Sequence, residues 1–442
     1  MCFRRRRIMN EELKINSIEV NKMNVSYIND NEYSVQLIRW LLTSMGAWRS
    51  LKKQNFFQKL RSMIIIVISY FLMCFTLIPC TLYAIIEEDN LQTKMKALGQ
   101  VSYWIMSIIK YSYILHHRGN VQRCLDHIEN DWRIITRSKD RNIMLTHANK
   151  ARYFILICTS FTYGGILIYS LVRGMALIPV VIENRTIYLH PLPCPCYSKL
   201  ADTRFHPTYE IIYTLQLFSA VITSSIVVCA CSLAAVFVMH ACGQLTITMA
   251  WINDSFVDSI RSSNYQLTDI VRLHVRTLRY ESTVIINIYI RIKRNTRKSF
   301  VLYSFIDYIE NVINRICLVE LLGCTLNMCL LGYFCITEWE NNDTKNTIGY
   351  FLVFVSMVFN IFVFCFLSEK LSEQCLRVGD VAYACDWHLL PVNTARGFIL
   401  IILRSNSVVR LTAGKFMKLS IITFGDVIKS SAVYFNMLQK MT

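Results

Sequence analysis

The sequence predicts an all-α membrane protein with seven transmembrane helices, a cytoplasmic N-terminus and an extracellular C-terminus. Three observations carry that expectation. Of the 442 residues, 54% are hydrophobic and only 17% charged, where soluble domains carry roughly a quarter charged. Seven apolar stretches are long enough for a helix to cross a bilayer, which takes about 20 residues. Lys and Arg crowd into alternate connections between those stretches.

The stretches cover residues 63–86, 97–115, 153–172, 211–241, 316–336, 348–367 and 411–438. Those at 153–172 and 348–367 contain no charged residue. Lys110 lies near one end of the second, where its ammonium is expected to snorkel to the interface. Glu320 in the fifth is an ionisable group inside the membrane and so a functional candidate by default; Arg315 or a polar neighbour is its expected partner. The opening residues MCFRRRR lead into polar sequence, so no cleaved signal is expected. Cys2 stands where a myristoylation site needs Gly.

Orientation follows from charge. Most of the 47 Lys and Arg precede the first stretch, as in Arg4 to Arg7, Lys52, Lys53 and Arg61, or lie between stretches 2 and 3, 4 and 5, and 6 and 7. The positive-inside rule puts these segments in the cytoplasm, the reverse of a G-protein-coupled receptor. The net charge of +17 then reflects basic loops, and no nucleic-acid partner is expected. Most of the 17 cysteines fall in apolar helices or on the cytoplasmic side, where they act as small hydrophobes. Cys194 and Cys196 fall in the second external loop, where pairing, for instance with Cys335, and two unpaired thiols are both open. The chain has neither a Cys-x-x-Cys pair nor a His cluster at zinc spacing, so no metal and no cofactor are expected.

The organisation read from this pattern has six parts. Residues 1–62 form a cytoplasmic segment, in which 35–48 place Leu37, Ile38, Leu41, Leu42 and Met45 on one helical face. That face lies either in the inner membrane interface or on the protein's own cytoplasmic side. Helices 1–4 occupy 63–241, and 242–315 continue helices 4 and 5 into the cytoplasm with a basic turn near residues 291–298. Helices 5 and 6 occupy 316–367, a cytoplasmic helix lies within 368–410, and 411–442 hold helix 7 and a short external tail. The Asn-x-Ser/Thr sequons at Asn184 and Asn342 fall outside and are the expected glycosylation sites, whereas those at Asn24 and Asn253 fall inside.

Two regions carry a family resemblance. The C-terminal part reads LSEQCLRVGDVAYACDWHLLP and then RLTAGKFMKLSIITFGDVIKSSAVYFNML. Ser372 and Glu373, the Ala382-Tyr383-x-x-x-Trp387 arrangement, Ala413-Gly414-x-Phe416 and Tyr434-Phe435 resemble the insect odorant-receptor signature. Gly46-Ala47-Trp48 is similar to the family's Gly-x-Trp-Pro before the first helix. Arg49 replaces that Pro, and His388 follows Trp387 where the family usually has Tyr. Gustatory receptors, the nearest competitor, usually end with Thr-Tyr, five apolar residues and Gln-Phe. Here Val433 precedes Tyr434, four residues separate it from Gln439, and Lys440 follows.

The resemblance implies an odorant-tuning subunit in the plasma membrane of sensory-neuron dendrites. Such subunits assemble with the olfactory co-receptor into a hetero-tetrameric, odorant-gated, nonselective cation channel, surrounded by membrane lipid. It also implies that residues 368–410 anchor subunits to one another, and that a small volatile odorant or pheromone binds in the outer half of helices 2 to 6. A dispersion-dominated cavity needs aromatic walls and few polar anchors. Tyr103, Trp104, Thr162, Gly165, Tyr169, Tyr213, Leu217, Tyr350 and Phe354 are the candidates. In the last stretch, helical periodicity puts Lys415, Lys418, Asp426 and Lys429 on one face. Ionisable groups there must meet water or protein. Val433, Met437 and Met441 continue that face outward, as in a wet pore closed by an apolar constriction; a subunit contact is the alternative.

Other classes lack their motifs. Metalloprotease, serine-hydrolase and phosphate-loop patterns are absent, so no catalysis is expected. Asp-Arg-Tyr after helix 3 and Asn-Pro-x-x-Tyr in helix 7, which a G-protein-coupled receptor would need, are also missing.

Overall fold

A computed structural model describes residues 28–48, 55–176, 178–182, 185–200, 207–269, 278–385, 387, 392–406 and 410–441, with side chains from 255 to 301 and a few others excepted. Helix α1 covers 28–44. It is followed by α2 (Phe56–Leu82), a π-helical turn (Tyr83–Glu87), α3 (Leu91–His116), α4 (Arg118–Ile134) and α5 (Ser138–Met175). A hairpin of β1 (Ile178–Ile182) and β2 (Arg185–Leu189) precedes the long helices α6 (Thr208–Asp269) and α7 (Leu278–Glu340). Helices α8 (Thr344–Ala384) and α9 (Val392–Asn406), a second hairpin of β3 (Thr412–Ala413) and β4 (Met417–Lys418), and α10 (Ile421–Met441) complete the chain.

Seven of these helices, α2, α3, α5, α6, α7, α8 and α10, carry the predicted spans. Among the described residues five are both long and apolar enough to cross a membrane. The remaining two, α3 and α10, have the length, 26 and 21 residues, but carry ionisable side chains that the bundle must accommodate. Membrane packing inverts the usual burial pattern. In α2, Ser69, Thr76 and Cys80 are buried, while Val67, Ile68, Phe71 and Ile78 are exposed. Helix α6 is the central post, buried all round from 226 to 243. Pro79 in α2 supplies no backbone donor, and the helix loosens into its π-turn four residues later.

Three expectations change on contact with the fold, and one left open is decided. Helix α7 runs unbroken through 291–298, so the basic turn expected there is helix; residues 270–277, between α6 and α7, lie outside the described residues. The apolar face of α1 is covered by protein: Val35, Ile38, Leu42 and Met45 join the main core, whereas Trp40 faces outward. Lys110 does not snorkel. It is buried against Glu320, Nζ to Oε2 2.7 Å, so the partner of Glu320 is not Arg315. Finally, the last helix begins at Ile421 and not at 411.

That last difference has a local cause. Gly414 (φ +61) and Lys415 (φ +67) both take the left-handed conformation, and the Phe416 N–H donates to the Ala413 carbonyl at 3.1 Å. A turn with two positive φ angles closes a hairpin. Buried Ser368 on α8 pins both hairpin ends, accepting from Leu411 N–H at 3.0 Å and donating to the Leu419 carbonyl at 2.8 Å. The Gly414 N–H donates to the Asn314 carbonyl of α7 at 2.9 Å. A Cβ at Gly414 would stand 2.6 Å from Leu318 Cδ2, so the close approach and the backbone both select glycine.

Candidate ligand cavity and pore helix

The cavity forms where five helices present small or aromatic side chains at helical spacing. Helix α3 supplies Lys96, Gly99, Gln100, Tyr103 and Trp104; α5 supplies Ile166, Tyr169 and Ser170; α6 supplies Gln216 and Ala220. Helix α7 adds Asn327, Leu330, Leu331 and Phe334, and α8 adds Tyr350, Val353 and Met357. Pro193 and Cys194, from the segment before α6, close it, and the cavity has a volume of about 120 Å³.

Its polar side chains are largely spent on the protein. Gln100 Nε2 donates to Tyr169 Oη and to the Pro193 carbonyl, both at 2.9 Å. Gln216 clamps the Cys194 backbone in both directions, accepting from its N–H at 3.0 Å and donating to its carbonyl at 2.9 Å. Asn327 donates to the Gly323 carbonyl and accepts from Ser102 Oγ, each at 2.9 Å. Lys96 is paired with Glu338 and lies 5.8 Å from the Phe334 ring centroid. With those groups engaged, the surface left for a guest is mainly aromatic and aliphatic. Tyr169 and Tyr350 pack with centroids 5.7 Å apart, and Phe334 sits 5.8 Å from Tyr350.

Tyr103, Trp104, Tyr169 and Tyr350 line this cavity; Thr162, Gly165, Tyr213, Leu217 and Phe354 are not among its walls. The excluded residues have identifiable places. A Cβ on Gly165 would stand 3.4 Å from the Leu352 carbonyl of α8, and this close approach of α5 and α8 excludes a guest at that level. Thr162 is buried deeper on the same helix. Tyr213 lies over Gly174, its hydroxyl donating to the Ser170 carbonyl at 3.1 Å. Phe354 packs against the main core. On α6 the cavity uses the Gln216 and Ala220 face, beside the one that Leu217 presents. Sequence reasoning sought large aromatic residues and so passed over Gln100, Gln216 and the Pro193–Cys194 backbone. The Cys-Pro-Cys run was their only signal. Cys194 and Cys196 are both free thiols, as is Cys335.

On α10, one face is buried and one is open. Val427 and Ser431 are buried, with Ser431 Oγ donating to the Val427 carbonyl at 2.9 Å and approaching the Thr325 carbonyl of α7 at 3.4 Å. Asp426, Lys429, Val433 and Met437 are exposed. Lys418 is not on that helical face, because it belongs to β4, and Lys415 occupies the hairpin turn. The Met441 side chain lies outside the described residues. Phe435 and Leu438 of α10 pack against one apolar cluster that contains Leu330, Phe334 and Tyr350, with Tyr169 beside it. Cavity wall and α10 therefore adjoin one apolar cluster.

The sequons sit as follows. Asn342 is exposed in the turn between α7 and α8 (φ +60), and Asn253 is exposed on α6. Asn24 and Asn184 lie outside the described residues.

Seven membrane-length helices enclosing an aromatic-walled cavity define a multi-pass membrane bundle with room for a small guest. Residues 90–432 match the family model described as 7tm odorant receptor, and the chain belongs to that family. It is 21% identical to odorant receptor 13a of Drosophila melanogaster over 350 residues, covering 76% of this chain and 78% of that one. A shorter likeness, 27% identity over 126 residues, links it to the odorant receptor coreceptor of Ooceraea biroi, covering 28% and 26% of the two chains. Its fold is similar to that of the olfactory receptor OR5 from Machilis hrabei in complex with eugenol. The TM-score is 0.72 at 12% identity, covering 94% of this chain and 100% of that chain.

Proposed function

We propose that this chain is the odorant-tuning subunit of a ligand-gated, nonselective cation channel, assembled with the olfactory co-receptor as a hetero-tetramer in the plasma membrane of sensory neurons. The observation that carries the reading is the shared cluster. Leu330, Phe334 and Tyr350 line the cavity and belong to one apolar cluster, and Phe435 and Leu438 of α10 pack against that cluster. A guest that repacks the cavity wall thus acts on α10 through the one cluster that both adjoin, with no long relay required.

The ligand is a small volatile molecule with a mainly apolar body, because the polar wall groups are already hydrogen-bonded and dispersion is what remains. The pore face is that of Asp426, Lys429, Val433 and Met437, which a lone subunit leaves exposed. Ionisable groups at membrane depth need water or a neighbouring subunit there. In the orientation with the basic connections in the cytoplasm, Asn342 lies outside and accepts a glycan, as does Asn184, while Asn24 and Asn253 do not.

The test is recording from cells that express the chain with and without the co-receptor, across a panel of odorants. Odorant-evoked cation currents in the paired cells alone support the reading. Robust currents from the chain in demonstrated absence of the co-receptor contradict the partnership, and silence of a surface-expressed pair to every volatile contradicts the odorant-gated channel.

A further inference from the structure

We infer a second binding site, for an anionic phospholipid, in a groove between α5 and α8 at the basic end of the bundle. The groove has a volume of about 360 Å³, and its lining includes Lys150, Tyr153, Phe154, Ile157, Phe366 and Lys370. It shares no residue with the odorant cavity.

Its chemistry changes along its length in the way a lipid does. The uncharged span of α5 begins at Tyr153, and Lys150 stands one turn before it. The uncharged span of α8 ends at Leu367, and Lys370 stands one turn beyond. Both helices therefore reach the membrane boundary at the groove, and each places a lysine on the water side of that boundary. On the membrane side, Phe154 and Phe366 form an apolar floor, ring centroids 5.5 Å apart. Tyr153 (71% exposed) and Ile157 (38%) leave that floor open towards lipid.

The cationic end has capacity to spare. Lys150 is exposed and has no acidic partner among the described residues. Lys370 Nζ meets Glu373 Oε2 at 2.8 Å, with the side chains 33% and 42% exposed. A solvated pair of that kind holds its lysine weakly. Between them lies His147, whose Nδ1 is buried without a hydrogen-bond partner, while its Nε2 is 3.4 Å from Thr246 Oγ1. Two ammonium groups above an aromatic floor suit a phosphodiester with an acyl chain beneath it. A neutral apolar occupant would leave both charges unused.

The experiment uses the full-length protein in phosphatidylcholine nanodiscs doped with a photoactivatable acyl-chain probe, phosphatidylserine in one arm and phosphatidylcholine in the other. Labelling of the peptide spanning 153–157 is read by mass spectrometry. The phosphatidylserine probe labels it about thirty-fold more, roughly 1 kcal/mol for each of the two lysines. Lys150→Gln cuts that preference about five-fold, and Lys150→Arg retains it. Because each protein is normalised to its own phosphatidylcholine labelling, a loss of fold is separated from a loss of headgroup recognition. Equal labelling by both probes means that the lysines merely snorkel, and overturns the site. So does unchanged preference in Lys150→Gln. Full displacement of the phosphatidylserine probe by soluble glycerophosphoserine would reveal a free phosphate-ester site and would overturn the assignment to lipid.

Discussion

Lys110 on α3 and Glu320 on α7 form an ion pair inside the membrane bundle, Nζ to Oε2 2.7 Å, with side chains 1% and 3% exposed. Cys324 Sγ, one turn along α7, donates to the other carboxylate oxygen at 3.3 Å, and its sulfur lies 3.7 Å from Met357 of the cavity wall. The pair thus sits directly beneath the ligand cavity and ties two of its helices together.

A buried pair offsets its own desolvation, so removing one partner strands a charge at a cost of about 3–5 kcal/mol. Lys110→Met or Glu320→Leu alone is expected to lower surface expression and thermal stability strongly. The double variant should recover most of both, because an apolar pair of similar volume leaves nothing uncompensated. Surface biotinylation and thermal unfolding in detergent check this. Additive losses in the double variant would mean that the two residues act independently.

The hairpin before α10 makes an opposite-signed pair of predictions. Gly414→Ala places a methyl 2.6 Å from Leu318 Cδ2 on a backbone with φ +61. The left-handed conformation alone costs an L-residue about 1–2 kcal/mol, and the contact adds to it. Lys415→Gly relieves φ +67 at an exposed position and should stabilise by up to about 1 kcal/mol. Thermal unfolding midpoints should move down for the first and hold or rise for the second.

At the basic end, Asp131 on α4 accepts from His240 Nε2 at 2.9 Å and pairs with His127 Nδ1 at 3.1 Å. Burial pushes the carboxyl up, but the hydrogen bonds and charge of the two histidines outweigh it and hold Asp131 down at about 2. A depressed carboxylate stabilises the fold above the unfolded-state value near 4 and loses that contribution as pH falls towards 2. Asp131→Asn should therefore lower stability at neutral pH by at most about 2 kcal/mol. The difference from the parent should shrink as the pH is brought from about 4 to about 2. Unfolding midpoints against pH test it, and a gap independent of pH would assign the effect to packing.

The spans were legible because bilayer length and apolar composition are local properties. Residues 153–172 and 348–367 need no tertiary information to be read as membrane helices. The resemblance of Ala413-Gly414-x-Phe416 to the family signature was visible too, but not its meaning, since a two-residue strand leaves no periodicity and the stretch reads as helix. The Lys110–Glu320 pair joins residues 210 apart in sequence, so Glu320 could be marked as costly and Lys110 read as snorkelling while their pairing stayed unseen. Tyr103, Trp104, Tyr169 and Tyr350 stand out by residue type; Gln100 and Gln216 matter through hydrogen bonds to a loop backbone, which composition does not record.

The central claim is that ligand cavity and pore are separate places in one subunit, joined by the cluster of Phe334, Tyr350, Phe435 and Leu438. Whole-cell recordings of the chain paired with the co-receptor test it most directly, comparing Tyr169→Ala with Met437→Ser in protein shown to reach the surface. Tyr169 lines the cavity, and Met437 is 59% exposed on α10. Tyr169→Ala should reorder the odorant panel and leave reversal potential and rectification unchanged. Met437→Ser should change basal current or ion permeability, as expected of a side chain at an apolar constriction, and keep the odorant order. The reverse pattern, or the absence of either effect, would contradict the account.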